Sequence, residues 1–388
     1  MTPTKWVNLY NKYRPTCFDE VVGQKPVIRT LRNAVSRNRV AHAYLFRGSR
    51  GSGKTSTARI LCRTTNCLTG VACLQCDGCS GAMRDVIELD AASNRGIDDI
   101  TELIETLQFR PKFVDKRFVI IDEAHQLTSA AVNALLKIVE EPPAHIYFIF
   151  CTTEPIKYWD DYSNQLTEAE KAFDILASRC QSFIFTKVGY ADILKKLRYI
   201  CESEGRDVSE DVLRGIVGRS EGSVRDAENI LEQVLLWDDE DLADNIIRLL
   251  YGDVVFLAAE YFRECCIGTV TDGLNAAHNI WENGGSPKEI ATLCLDFVSS
   301  VIQLKTGCEV YCPSDIVSVL EEISENVERN RLEAVAVAFG SLRSSNNDSL
   351  LGLELAVCDS ADVTTSEVRV EEEPEIELEE VIPDAKIW

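Results

Sequence analysis

The sequence predicts an α/β domain built on a parallel sheet around a P-loop, followed by two mainly helical domains. Three observations carry this. The run Gly48-Ser49-Arg50-Gly51-Ser52-Gly53-Lys54-Thr55 fits the pattern glycine, four residues, Gly-Lys-Thr, between a short apolar strand at 43–46 and a helix start at 56–61. A buried, parallel-type strand at 116–123 ends in two carboxylates, Asp122 and Glu123. Beyond residue 190 the strand-like runs stop and apolar residues recur at helical spacing.

The whole composition bounds the answer. A chain of 388 residues is too long for one ordinary core, and at 45% hydrophobic it has material for two or three. No apolar run approaches the length of a membrane span, and Met1 to Trp6 lack the apolar segment of a signal peptide. A cytoplasmic location without membrane contact is therefore expected, where the 15 cysteines stay reduced. The net charge of −23 argues at first against nucleic acid, but it is unevenly spread. Residues 1–150 carry 20 Lys/Arg against 15 Asp/Glu, whereas residues 359–388 carry 2 against 11. A basic-leaning front suits a domain that faces phosphates, although an ordinary solvated surface explains it almost as well.

In chain order, Tyr13-Arg14-Pro15 and the stretch from Phe18 through Val22-Gly23-Gln24 precede any regular periodic element. They read as an extended segment with an X-Pro corner, either lying across a base or leading into the helix at 26–36. In the P-loop, glycines let backbone N–H groups and the positive helix end face an anion. Lys54 neutralises β and γ phosphates there, and Thr55, ahead of Ser56, offers its hydroxyl to Mg²⁺. This stretch predicts a bound nucleoside triphosphate.

Next stand Cys67, Cys73, Cys76 and Cys79, two successive Cys-x2-Cys steps with a fourth thiol five residues before them. Four thiolates can close a tetrahedral shell around Zn²⁺, and with no histidine or spare carboxylate to leave a position open the zinc is expected to be structural. Arg63 and Arg84 are placed to offset its negative charge. A second strand is expected at 85–90 and a helix running to about 109. At the end of the 116–123 strand, Asp122 is expected to act through the metal's shell and Glu123 to polarise water. The helix at 129–141 stops against Pro142-Pro143. A strand at 146–153 follows, ending in Thr152 and Thr153, and a strand at 182–185 closes the domain. Helix starts are marked at Gly222-Ser223-Val224-Arg225-Asp226-Ala227 and Ser286-Pro287-Lys288-Glu289. The expected boundaries are 1–187 for the P-loop domain, 188–248 and 249–358 for the two helical domains, and 359–388 for an acidic, disordered tail.

Together and in order, these motifs make the chain resemble the ATPase (gamma/tau) subunit of bacterial-type sliding-clamp loaders, within the AAA+ class. The resemblance is carried by Tyr13-Arg14-Pro15, Val22-Gly23-Gln24, His42-Ala43-Tyr44-Leu45-Phe46, the P-loop and the four cysteines. It continues through Glu88-Leu89-Asp90-Ala91-Ala92-Ser93, Ile121-Asp122-Glu123-Ala124-His125, Asn133 to Lys137 and Glu140-Glu141-Pro142-Pro143. Thr152-Thr153, Ser178-Arg179-Cys180 and the stretch around Arg225 complete it, so that it covers about residues 5–250. It implies that the nucleotide is ATP, with its adenine held by the segment from Tyr13 through Arg14 and Val22 to Gln24. Thr152 or Thr153 would sense the γ-phosphate, and Arg225 would reach the phosphates from a helical lid. Arg179 would be an arginine finger for the neighbouring subunit's site, the plain alternative being a helix-end arginine on a carbonyl. The second helical domain would be a collar assembling a five-subunit ring that grips a sliding clamp and primer-template DNA, with hydrolysis releasing both.

Two departures stand out. The spacing between Cys67 and Cys73 is short for the family, and an acidic, aromatic insert at 158–173 (Asp160, Asp161, Glu168, Glu170) reads as a surface elaboration or a partner contact. The ending Ile382-Pro383-Asp384-Ala385-Lys386-Ile387-Trp388 suggests a tether to a polymerase or another replisome protein, against an alternative of mere solubility. Two rival functions remain: a helicase, which shares Asp122-Glu123-Ala124-His125 but needs a second sheet domain, and a non-catalytic ring scaffold, which characteristically loses the P-loop lysine or Glu123.

Overall fold

A computed structural model describes residues 7–153, 167–236, 252–344 and 349–362. The chain divides into two units, one of residues 1–252 with 311–314, the other of 253–310 with 315–388.

The first unit is organised by five strands: β1 Ala43–Gly48, β2 Ile87–Asp90, β3 Arg117–Asp122, β4 Ile146–Thr152 and β5 Gln181–Phe185. All four pairings are parallel, in the order β2-β3-β4-β1-β5. The near-continuous apolar runs of β1, β3 and β4 are what a parallel sheet covered on both faces requires. On one face Leu45, Val119, Ile121, Phe148 and Phe150 pack with residues of the helices Ile97–Leu107 (α5), Ser129–Glu140 (α6) and Glu168–Ala177 (α7). On the other, Tyr44, Phe46, Phe118, Ile120 and Ile149 pack with the helices Lys25–Ser36 (α2) and Lys54–Asn66 (α3). Alternate residues of each strand serve alternate faces.

Most predicted elements fall within two residues of their expected bounds. Three differences have identifiable causes. A one-turn helix, Leu9–Lys12 (α1), precedes the segment expected to stand before any regular element; Glu232 accepts the Leu9 N–H at 3.1 Å. Asp85 belongs to the helix Asp77–Asp85 (α4) rather than to β2, because its carboxylate accepts the N–H groups of Lys112, Phe113 and Val114 at 3.1, 2.6 and 3.1 Å. The described part of the 158–173 stretch, from 167 on, is the start of α7: Thr167 caps it, Glu168 and Glu170 occupy its first turn, and Phe173 is core. Residues 158–166 of that stretch lie outside the described residues, as do 363–388 of the expected tail.

Among the described residues of the first unit three further helices follow: Tyr190–Glu204 (α8), Glu210–Arg219 (α9) and Val224–Leu235 (α10). They bury Ile193, Leu197, Ile216, Leu231 and Val234. Ser223 caps α10 by accepting the Asp226 N–H at 3.3 Å.

The second unit is helical throughout its described residues: Asp253–Ile267, Val270–Glu282, Pro287–Lys305, Ser314–Asn326, Arg329–Ser344 and Leu350–Asp362. Pro287 sits in the first helical turn, as its sequence context predicts. Its core gathers Tyr261, Phe262, Phe297 and Phe339, with the Tyr261 hydroxyl donating to the Leu353 carbonyl at 2.8 Å. Among the described residues no helix is long and apolar enough to cross a membrane.

Candidate functional site

Parallel strands deliver their C-terminal ends to one edge of the sheet, and α/β proteins bind ligands in the crevice beyond that edge. Here β1 ends at Gly48, β4 at Thr152 opposite Arg47, and β3 at Asp122. From Gly48 the chain turns through Ser52, whose hydroxyl donates to the Ser49 carbonyl at 2.7 Å, and enters α3 at Lys54. Two glycines of this turn are required by close approach. A Cβ on Gly48 would stand 2.1 Å from the Phe185 carbonyl oxygen, and one on Gly51 would stand 1.9 Å from Ser223 Oγ. Lys54, 6% exposed, donates to the carbonyls of Gly48 at 2.8 Å and Ser49 at 2.9 Å. Burial holds its ammonium below the usual lysine range.

The acidic side is equally connected. Thr55 Oγ1 donates to Asp122 Oδ2 at 2.8 Å, so the two oxygens converge where a hard cation finds oxygen ligands. Glu123 sits at φ +47°, and its N–H bonds Asp122 Oδ1 at 3.1 Å. Its carboxylate accepts the Thr153 hydroxyl at 3.0 Å and lies 3.5 Å from His125 Nδ1, which is itself 3.1 Å from Thr152 Oγ1.

One cleft joins Arg14, Val22, Arg50 to Ser56, Asp122, Glu123 and Arg225. Gly48 and Ser49 lie under Lys54, and Thr152 and Thr153 stand behind Glu123. Tyr13 is turned away: its hydroxyl donates to Glu204 Oε1 at 2.6 Å, and burial together with that carboxylate pushes its pKa up to about 12. Arg179 is also apart. It donates to Glu140 Oε1 at 2.5 Å and to the Ile175 carbonyl at 2.8 Å, the helix-end bond that the sequence left as its alternative.

The cleft contains Glu20, from the segment expected to hold the adenine, and three side chains that the sequence did not single out: Tyr10, Lys196 and Glu228. The Arg225 guanidinium lies 5.9 Å from the Tyr10 ring centroid. Burial, then the charges of Arg59 and Arg225, lower the Arg14 pKa. Lys196 is lowered by burial and donates to the Tyr13 carbonyl at 3.0 Å. Glu228 is 5% exposed, and burial raises its pKa to about 7 against the pull of Lys196, Arg14 and Arg225. The signal for Glu228 was its place one helical turn after Arg225, on the same face.

The four cysteines come together away from this cleft, between α3 and the first turns of α4, with all four sulfurs within 4.8 Å of one another. The separations Cys67–Cys73, Cys73–Cys79 and Cys76–Cys67 are 3.7, 3.9 and 3.9 Å. Disulfide sulfurs stand about 2.05 Å apart, whereas the edge of a tetrahedron with Zn–S of about 2.3 Å is about 3.8 Å. The cluster has the second dimension. Residues Ala72 and Leu74 take positive φ, and the N–H groups of Cys73 and Cys79 point at the sulfurs of Cys67 and Cys76 at 3.5 and 3.4 Å. Against burial, such hydrogen bonds bring Cys67 down to about 5. Donor set and spacing fit Zn²⁺.

Comparison with known proteins agrees with the geometry. Residues 23–158 match the family described as DNA polymerase III, delta subunit. DNA polymerase III subunit tau of Bacillus subtilis is 32% identical over 348 residues, covering 88% of this chain and 59% of that protein. DNA polymerase III subunit gamma/tau of Mycobacterium tuberculosis is 34% identical over 367 residues, covering 88% of this chain and 61% of that protein. The chain thus spans less than two thirds of these relatives. Among solved structures, the Thermotoga maritima RuvB Holliday junction branch migration motor aligns with a TM-score of 0.44 and 17% identity, covering 79% of this chain and 90% of that one.

Two predictions follow from these side chains. The chain should carry one Zn²⁺ by elemental analysis, and Cys76→Ser should lose it and raise amide exchange locally around residues 67–79. Four readily titrated thiols in a metal-free chain would contradict this. The second concerns pH. Because the folded pKa of Glu228 is about 7 and its ordinary value 4.5, the folded chain keeps a proton that the unfolded chain releases between these values. This group therefore lowers stability as pH rises through that window, most fully above it. Glu228→Gln should accordingly gain in Tm over the parent chain more at pH 8 than at pH 4, measured by thermal unfolding without nucleotide; equal gains would refute the assignment.

Proposed function

The chain is a relative of the DNA polymerase III gamma/tau subunits along most of its length, and from that premise we propose that it is an ATP-dependent clamp-loader subunit. In this reading it helps open a sliding clamp and place it on primer-template DNA during replication, with ATP hydrolysis releasing clamp and DNA. The observation that carries the proposal is the continuous set Lys54, Thr55, Asp122 and Glu123, gathered in one cleft that Arg225 also lines. A non-catalytic scaffold subunit has no use for all four. A helicase of the Asp-Glu-Ala-His type needs a second sheet domain, and the described residues after β5 are helical.

Each residue has a part in the hydrolysis. Backbone N–H groups of the loop and the N-terminus of α3 receive the phosphates. Lys54 exchanges its two carbonyl partners for β- and γ-phosphate oxygens. Thr55 and Asp122 would hold Mg²⁺, which when bound neutralises charge across the β and γ oxygens. Glu123 orients the attacking water, and its orientation is set by the Thr153 hydroxyl. Thr152, at the end of β4, or Thr153 beside it is read as the γ-phosphate sensor. Arg14, Val22 and the segment around them hold the nucleoside, with Tyr13 acting behind that wall through its bond to Glu204.

The helices α8–α10 are read as the lid and the second unit as a collar, through which five subunits form a ring. In that ring Arg179 would leave Glu140 and complete the neighbouring site. The four-cysteine module is structural. The proposed tether to a polymerase or another replisome protein belongs to residues outside those described.

Two measurements test this reading. Lys54→Ala should abolish nucleotide binding, while Glu123→Gln should bind ATP yet turn it over at least about a hundredfold more slowly in the assembled complex. Normal turnover by Glu123→Gln would remove Glu123 from the chemistry. Arg179→Ala should depress the stimulated ATPase of the ring and leave the affinity of the isolated chain for ATP nearly unchanged, since a finger acts on transition-state charge. Lost affinity in the isolated chain would place Arg179 elsewhere.

A further inference from the structure

The helix α10 serves as a ruler along the cleft. Its first residue, Val224, donates its N–H to the Gly51 carbonyl at 3.3 Å, so this end touches the phosphate loop. Two turns on, Glu232 accepts the Leu9 N–H at 3.1 Å, on the segment that forms the cleft's far wall. Glu228 lies midway, about 6 Å along the axis from Val224 at a rise of about 1.5 Å per residue. It lines the cleft although only 5% of it is exposed. Lys196 from α8, Arg14 from the N-terminal segment and Arg225 from its own helix all act on it through charge. Among the described residues no group donates a hydrogen bond to its carboxylate.

A buried carboxylate without a donor is costly, and when ionised it can only accept. The triphosphate of a nucleotide is also all acceptors, and anionic, so it is no partner for the ionised group. The donors that a nucleoside triphosphate offers are at its other end: the ribose hydroxyls and, on adenine, the 6-amino group. We propose that Glu228 is a specificity-determining residue of the cleft, accepting a hydrogen bond from the nucleoside of the bound triphosphate. Its place along α10, one turn beyond the phosphate loop, is where that end of the ligand falls. Arg14, Lys196 and Arg225 keep the carboxylate from repelling the phosphates nearby. The proposal rests on the cleft being the nucleotide site.

The test is equilibrium binding of four probes to the full chain: ATP, 2′-deoxy-ATP, 3′-deoxy-ATP and purine riboside triphosphate, which lacks the 6-amino group. The parent chain should bind at least one of the three analogues about ten- to a hundredfold more weakly than ATP, the loss expected for one hydrogen bond to a charged group. The deoxy arms identify a ribose donor, and the purine riboside arm identifies the base. Glu228→Gln, which keeps the size of the side chain, should narrow the ratio, and Glu228→Leu should bring it near one. Equal binding of all four probes by the parent chain overturns the proposal, as does a ratio left unchanged by Glu228→Gln. Failure of ATP itself to bind would overturn the reading of the cleft, a result distinct from binding without discrimination.

Discussion

The structure depends on a parallel sheet covered on both faces. Once Leu45, Phe148 and Ile121 face one apolar layer and Phe46, Ile149 and Ile120 the other, the sheet interior has no place for a charged side chain. Its backbone groups are consumed by the ladder. Polar chemistry is therefore confined to the edge where the strands end. The order β2-β3-β4-β1-β5 puts β4 between the strand of the phosphate loop and the strand of Asp122, which separates their ends by about 9.6 Å at ~4.8 Å per strand. No side chain of the loop itself bridges that gap. Thr55 does so from the first turn of α3, which lies across the sheet, and its hydroxyl reaches Asp122 at 2.8 Å. The helix after the loop thus closes the distance to the acidic side, and in the proposed function it would also receive the anion.

A second constraint links this edge to the helices that follow. Gln24, 7% exposed at φ +53°, donates to the carbonyls of Thr186 at 2.7 Å and Ser52 at 3.3 Å and accepts the Thr186 N–H at 3.2 Å. One amide therefore fixes the N-terminal segment, the phosphate loop and the exit from β5 to each other. The absence of room for a Cβ at Gly51, against Ser223, fixes the loop to the start of α10 in the same way. Buried and fully bonded groups of this kind have few alternative arrangements. Displacement of α8–α10 must then be felt at the loop, through contacts that tolerate little slack.

What the sequence disclosed and what it withheld divide along the same line. Local signals were legible: the loop pattern with its flanking strand and helix, the apolar runs of β1, β3 and β4, the proline stop after α6 and the cysteine spacing all act within about 15 residues. Contacts between distant segments were not. Nothing local distinguishes Tyr13, whose hydroxyl goes to Glu204, from Arg14, which faces the cleft. Asp85 looked like the start of a strand because its three N–H donors come from residues 112–114. Glu228 and Lys196 were hidden for a related reason. A charged residue on a helix is normally solvated, and their burial arises only when α8, α10 and the N-terminal segment close on one another.

The bonds made by Lys54 and Glu123 explain how such a site can be rigid and still receive an anion. Lys54 is held by two neutral carbonyls of its own loop and Glu123 by a neutral threonine hydroxyl. These bonds satisfy the buried Lys54 ammonium, which would otherwise be costly, and orient the half-buried Glu123 carboxylate at the sheet edge. Each bond already has one ionised partner. A phosphate oxygen would give the Lys54 ammonium an ionised acceptor in place of a neutral carbonyl, adding the attraction of opposite charges. The Thr153 hydroxyl, by contrast, loses nothing when water comes to Glu123, because a carboxylate has lone pairs to spare for both. In the proposed function the loop would thus yield its lysine to the ligand while the acidic side keeps its geometry, the division of labour that binding followed by hydrolysis requires.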